Sequence, residues 1–254
     1  VNFSNWDNAL EEETLRLGLR QIDGFRESWA EAVVAARPFT SIEAVARQAK
    51  LPARALHLLA DADALRSLGR DRREGAWEVR RTPSDELPLF AAAGARELGI
   101  EPDIHLPQMQ LGEHVAADYQ TIRLSLKAHP MQFLRADFEA EGVLSCAATA
   151  ASKNGAQVKT AGIVLVRQRP GKGNAIFVTL EDETGITNVV IWARLFERYR
   201  RAVMASRLML VEGELQRSPE GVIHLMATRI YDRSAALATL SQTHDASPTL
   251  ALAD

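Results

Sequence analysis

The sequence has a single cysteine, Cys146, among 254 residues. One thiol excludes a disulfide framework and leaves no cysteine pair for a zinc site, as expected in a reducing compartment. No apolar run approaches the roughly 18 residues of a membrane-spanning helix. No basic-then-apolar leader opens the chain, so a cytoplasmic protein without membrane contact is expected. Neither standard Gly-rich phosphate-loop pattern occurs. His105, His114, His129 and His224 stand singly, without i+4 partners or cysteine neighbours, and read as surface or hydrogen-bonded side chains instead of metal ligands. The chain opens at Val1 and not at Met, which suggests a piece of something longer.

An excess of either charge is also lacking, with a net of −3. Its placement is uneven. Residues 159–233 hold 12 Lys and Arg against 8 Asp and Glu, and residues 47–81 hold 9 against 5, inside an otherwise acidic chain. Two mildly basic islands point to two contacts with polyanions. Hydrophobic residues make up 46%, enough for packed domains, and the length suits one large or two small ones.

Periodicity divides the chain. Residues 9–36 carry apolar positions at helical spacing, Leu15, Leu19 and Ile22 and then Trp29, Val33 and Ala36, with a break at Gly24. Ser41 and Pro52 each start a further helix, and another is predicted over Arg70–Arg80. Residues 1–81 are therefore expected to form an all-helical unit. Residues 82–158 read as linker and helical connector, with a loop over Cys146–Lys153. From Thr160 the period becomes two, giving five strand candidates with a helix, Ala193–Ser206, between the third and fourth. That helix shows an apolar stripe (Leu195, Tyr199, Val203) and a polar one (Arg194, Arg198, Arg201). Three strands, a helix and two strands is the order of an OB-fold barrel, placed at 159–233 and followed by a disordered tail at 234–254. The fold class is α+β multidomain: a helical unit followed by a five-stranded barrel.

Three adjacent acids, Glu181, Asp182 and Glu183, invite a catalytic reading. A two-metal site needs carboxylates converging from separate elements onto ions ~4 Å apart. Neighbours on one turn point apart, and Gly185 supplies the positive φ of a hairpin, so the acids are expected to solvate a corner between strands. Asp61 and Asp63 lie in a helical context where i and i+2 do not face each other. No catalytic residue and no metal site is predicted. What remains is a binding surface: Arg167, Arg169 and Lys172 on the first inter-strand loop and Phe177 just after it, as in barrels that grip single strands with a basic groove and aromatic platforms. Core packing is the competing reading for Phe177, and Trp192 is expected beneath the helix.

The block TAGIVLVRQRPGKGNAIFVTLEDETGITNVVIW resembles the OB domain of bacterial error-prone DNA polymerases, C-family relatives of the replicative polymerase III α subunit. TIRLSLKAHPMQFLR resembles the segment before it, and LRLGLRQIDGFRESWAEAVVAAR the family's helix-hairpin-helix. The resemblance implies a C-terminal, DNA-binding part of a polymerase used in damage-induced translesion synthesis. Its catalytic aspartates, and the Mg²⁺ that the parent nucleotidyltransferase needs, would lie upstream, so no cofactor is expected here. Helix-hairpin-helix loops carry a second glycine where this chain has Arg26, so Gly24 and Arg26 are the duplex-contact candidates, with the arginine reaching a phosphate. ELPLF resembles peptides that dock in the sliding clamp, with Leu87, Leu89 and Phe90 as anchors; accessory mutagenesis proteins are the other implied partners. Two alternatives stand beside this reading. One is a helix-turn-helix regulator over Thr40–Leu59, with Arg54 and His57 facing bases. The other is an OB-fold tRNA-binding module.

Overall fold

The computed structural model describes residues 1–82, 107–171 and 173–241. Leu87, Leu89, Phe90 and Lys172 therefore lie outside the described residues. The chain divides into two compact units: Val1–Gln110 with Ala117–Ser125, and Leu111–Ala116 with Leu126–Asp254.

The first unit opens with a two-stranded hairpin, β1 (Ala9–Glu11) and β2 (Thr14–Arg16), where helical spacing predicted a helix. Glu12 adopts φ +54°, and Arg16 closes the hairpin with two 2.6 Å hydrogen bonds to Glu11. These local bonds fix the turn, and Leu10 and Leu15 are left exposed across from each other. The expected all-helical unit therefore carries a small sheet. Beyond it the pattern holds. A 3-10 turn, Leu19–Gln21, precedes helix Glu27–Ala35. Helix Ile42–Gln48 is capped by Ser41, whose hydroxyl accepts from the Ala44 N–H. Helix Ala53–Asp61 follows Pro52, and helix Arg72–Arg81 starts with a full capping box, Asp71 and Glu74. Leu19, Ile22, Val33, Ile42, Leu56, Leu59 and Val79 form one core. Arg72 pairs with Asp118 inside it, both side chains almost fully buried.

In the second unit the stretch Cys146–Ala151, expected as loop, is a helix. Ser145 caps it by accepting from the Ala148 N–H, and alanines supply the propensity. Helix Pro130–Ala140 precedes it, with proline at the first turn and His129 Nδ1 accepting from the Met131 N–H. Both belong to the barrel's unit. The barrel itself closes in the order β3-β4-β5-β7-β6: β3 Gln157–Gln168, β4 Ala175–Asp182, β5 Gly185–Trp192, β6 Leu208–Arg217 and β7 Ile223–Asp232. All pairs are antiparallel except β5 with β7. Helix Ala193–Ala205 sits between β5 and β6 in sequence, and its Phe196 and Val203 join the barrel core. Ser234–Ser241, expected as disordered, is a 3-10 helix. Asp232 starts it by accepting from the Ser234 N–H and hydroxyl, and Leu240 is buried at its far end.

Candidate nucleic-acid interface

On β4 the inward positions are Ile176, Val178, Leu180 and Asp182, so Phe177 faces outward. It is half-buried and outside the barrel core, which corrects the core reading. On β5 Val189 and Ile191 point in, so Val190 and Trp192 share the outer face with Phe177. Trp192 is 53% exposed and does not pack beneath the helix; the alternation of β5 turns it outward, and it is the N-cap residue of helix Ala193–Ala205. The parallel β7 sets Met226 beside Val190, and the antiparallel β6 sets Gln216 opposite His224. Phe177, Val190, Trp192, Met226, His224 and Gln216 thus line an open groove of about 400 Å³. The Phe177 and His224 rings meet edge to face at 6.4 Å. Pro170, Gly173 and Asn174 of the β3–β4 loop form its rim. An apolar floor, two large rings and a few hydrogen-bonding side chains suit flat heteroaromatic groups.

The basic candidates separate. Arg169 is exposed on that rim loop, its Nε donating to the Gly173 carbonyl at 3.1 Å. Arg167 lies on β3, not on the loop, and its guanidinium donates to the carbonyls of Val203 (2.6 Å) and Ser206. Those carbonyls end helix Ala193–Ala205, so Arg167 caps a helix C-terminus instead of facing a ligand. Burial lowers its pKa below the ordinary arginine value.

The three acids stand at the hairpin between β4 and β5, Glu181 and Asp182 as the end of β4 and Glu183 in the turn, with Gly185 at φ +147°. They do more than solvate it. Asp182 is buried; one carboxylate oxygen accepts from Arg135 (2.8 Å) and from the Cys146 N–H (2.7 Å), the other from the Thr184 N–H and hydroxyl. Glu183 takes the Arg135 Nε at 2.6 Å. Burial works against the Asp182 charge, but the Thr184 and Cys146 donors and the Arg135 guanidinium outweigh it and hold the pKa below the usual aspartate value. With both Asp182 oxygens committed, this donor set does not fit a Mg²⁺ ion. Among the described residues no group of three or more His, Cys, Asp or Glu side chains could hold a metal.

In the first unit Gly24 has φ +78°, the left-handed region that glycine enters most readily. A Cβ there would stand 3.8 Å from the Arg54 guanidinium. Arg26 is exposed beside it, its guanidinium 4.9 Å from the Trp29 ring centre. The neighbouring Asp23 and Phe25 N–H groups already donate to the Thr121 and Ile22 carbonyls. A backbone cradle for phosphate is therefore partly spent, and the charge at this loop is carried by Arg26 and Arg54. Sequence reasoning set Arg54 on a base-reading helix; the fold brings it to the Gly24 loop.

Two family models match the chain: a helix-hairpin-helix motif over residues 1–75 and an OB-fold nucleic acid binding domain over residues 158–233. The Thr40–Leu59 helices thus fall within the helix-hairpin-helix match. An error-prone DNA polymerase of Brucella abortus biovar 1 (strain 9-941) is 53% identical over 250 residues, covering 95% of this chain and 23% of that protein. One from Rhodopseudomonas palustris (strain HaA2) is 52% identical over 271 residues, with the same coverages. One from Bradyrhizobium sp. (strain ORS 278) is 54% identical over 243 residues, covering 91% and 21%. The chain spans less than a quarter of the length of these curated relatives. Among solved structures, asparaginyl-tRNA synthetase from Pyrococcus horikoshii overlaps 36% of this chain and 22% of its own at 22% identity and a TM-score of 0.32, too slight a likeness to carry an inference.

Proposed function

We infer that this chain, which over the stretch it covers belongs with the error-prone DNA polymerases, is their C-terminal DNA-handling part and serves translesion synthesis in damage-induced mutagenesis. One observation carries the reading: on the outer face of an OB barrel, Phe177 and Trp192 flank a groove. Stacked bases of a single strand fill such a groove without regard to sequence, because every base offers a π-face. Arg169 supplies a cation to the phosphates at the rim, and Lys172, three residues further along the sequence, is the other cation proposed to meet the strand. The Gly24 loop with Arg26 and Arg54 takes duplex DNA through its backbone, and so complements the barrel. Nucleotidyl transfer and its Mg²⁺ belong to the longer parent, in the cytoplasm. Leu87, Leu89 and Phe90 are the proposed clamp anchors; an ELPLF peptide should compete for the clamp, and a peptide with alanine at all three positions should not. Accessory mutagenesis proteins are the alternative route of recruitment.

The groove is tested by fluorescence anisotropy with an oligothymidylate of about 6 nucleotides, within the site size of a single OB barrel. Phe177→Ala and Trp192→Ala should each weaken binding by roughly 1–3 kcal/mol, the cost of one lost stacking platform. Unaltered affinity in the double variant would move the site elsewhere.

A further inference from the structure

We propose that the arginine row on helix Ala193–Ala205 is a second phosphate track, which continues the path of single-stranded DNA beyond the groove. The helix presents two unlike faces. Phe196 and Val203 are buried in the barrel, with Leu195, Tyr199 and Ala202 packed against it. Arg194, Arg198 and Arg201 lie on the opposite, exposed face. They are four and three residues apart, about 6 and about 4.5 Å along an ideal axis, with a kink at Tyr199 between the second and the third.

Like charges at this spacing repel and weaken a helix. Among the described residues none of the three forms an ion pair within 4.0 Å; Arg200 has a distant one, to Glu197 at 4.0 Å. Three cations in a row, with Glu197 one turn from Arg194 and Arg201 and Asp232 acting on Arg201, still leave this face with more positive than negative charge for a polyanion to meet. Arginine is also the side chain that meets phosphate oxygens in pairs. The Arg198 guanidinium lies 5.5 Å from the Tyr199 ring centre and that of Arg200 5.6 Å from the Phe196 ring centre, so aromatic faces hold neighbouring guanidinium groups in place.

Continuity with the groove names the occupant. Trp192 both lines the groove and is the N-cap of this helix, and the Ala193 N–H donates at 2.6 Å to the carbonyl of Asn174 on the groove rim. A strand whose base stacks on Trp192 meets Arg194 two residues later, then Arg198 and Arg201. The track rests on the reading of the groove as a single-strand site, yet it is measured separately.

The experiment compares oligothymidylates of about 6 and about 16 nucleotides, one short and one at the upper end of the OB site-size range, on the 254-residue chain. In the R194A/R198A/R201A variant the short oligonucleotide should bind as before. The long one should bind at least several-fold more weakly, with its log–log salt slope reduced by about 2, since each lost single-strand phosphate contact removes about 0.7. The R194K/R198K/R201K variant should keep the slope. Melting temperature of the alanine variant should hold or rise, because alanine favours helix and the repulsion is gone. An unchanged long-oligonucleotide affinity and slope overturns the track. So does an equal loss on both lengths. A short oligonucleotide indifferent to Phe177→Ala and Trp192→Ala strikes the groove alone, because the arginine row is read from the long one.

Discussion

Arg167 holds the carbonyls that end helix Ala193–Ala205 from its place on β3, not from the loop, and alternation along the strand does not name that partner. Arg167→Ala should therefore lower stability by about 1–2 kcal/mol through two uncapped carbonyls, and leave the salt slope for single strands unaltered; thermal denaturation beside a salt titration checks both. Asp182 tells the same story from the acidic side. The run Glu181–Glu183 signals a turn, and its glycine confirms one, yet the ligand of that turn, Arg135, is 47 residues away in sequence and no local pattern points to it. Removing one partner of a buried pair strands the other's charge. Asp182→Ala should cost about 3 kcal/mol in denaturant unfolding, less if Glu183 retains Arg135.

Among elements, period and caps carried most of the information, and failed where local hydrogen bonds or tertiary packing outranked them. β4 alternates strictly, and β3, β5 and β6 carry buried runs of three or four residues, strand signals that make the barrel legible. Hairpin Ala9–Arg16 was not, because Leu15 matches a helical stripe by accident while Glu11 and Arg16 close a turn. Helix Cys146–Ala151 is not legible because a six-residue, alanine-rich stretch lacks a period; the Asp182 carboxylate at its first N–H helps to fix it. This contact has a pH signature. The folded Asp182 pKa lies below the ordinary 3.8, so its contribution is complete above that value and is lost as pH falls through the folded pKa. Below about pH 4 the parent chain should lose stability more steeply than Asp182→Asn, in which this group no longer titrates. Parallel urea melts at pH 7 and pH 3 would decide it. At the Gly24 loop φ is +78°. Gly24→Ala should cost about 1–2 kcal/mol from the left-handed conformation, with only ordinary contact at 3.8 Å to Arg54.

The whole chain joins two units, each with one proposed nucleic-acid contact, and the mode of that contact differs. The first offers arginines at a hairpin to a duplex backbone; the second offers rings and a basic rim to an unpaired strand. A polymerase meets both forms at once on a primer-template. If the sites are energetically independent, as side chains without shared partners usually are, their losses on such a junction should add within about 0.5 kcal/mol. The pair to compare is Arg26→Ala with Arg54→Ala in the first unit and Phe177→Ala with Trp192→Ala in the second. On duplex DNA alone only the first pair should weaken binding, and on a short single strand only the second. Full additivity on the junction, measured at one fixed salt concentration, would mean that a single DNA molecule engages both units. If the second pair has no effect on the junction while it abolishes single-strand binding, the two contacts serve different DNA molecules, and the chain acts as a bridge and not as one continuous platform.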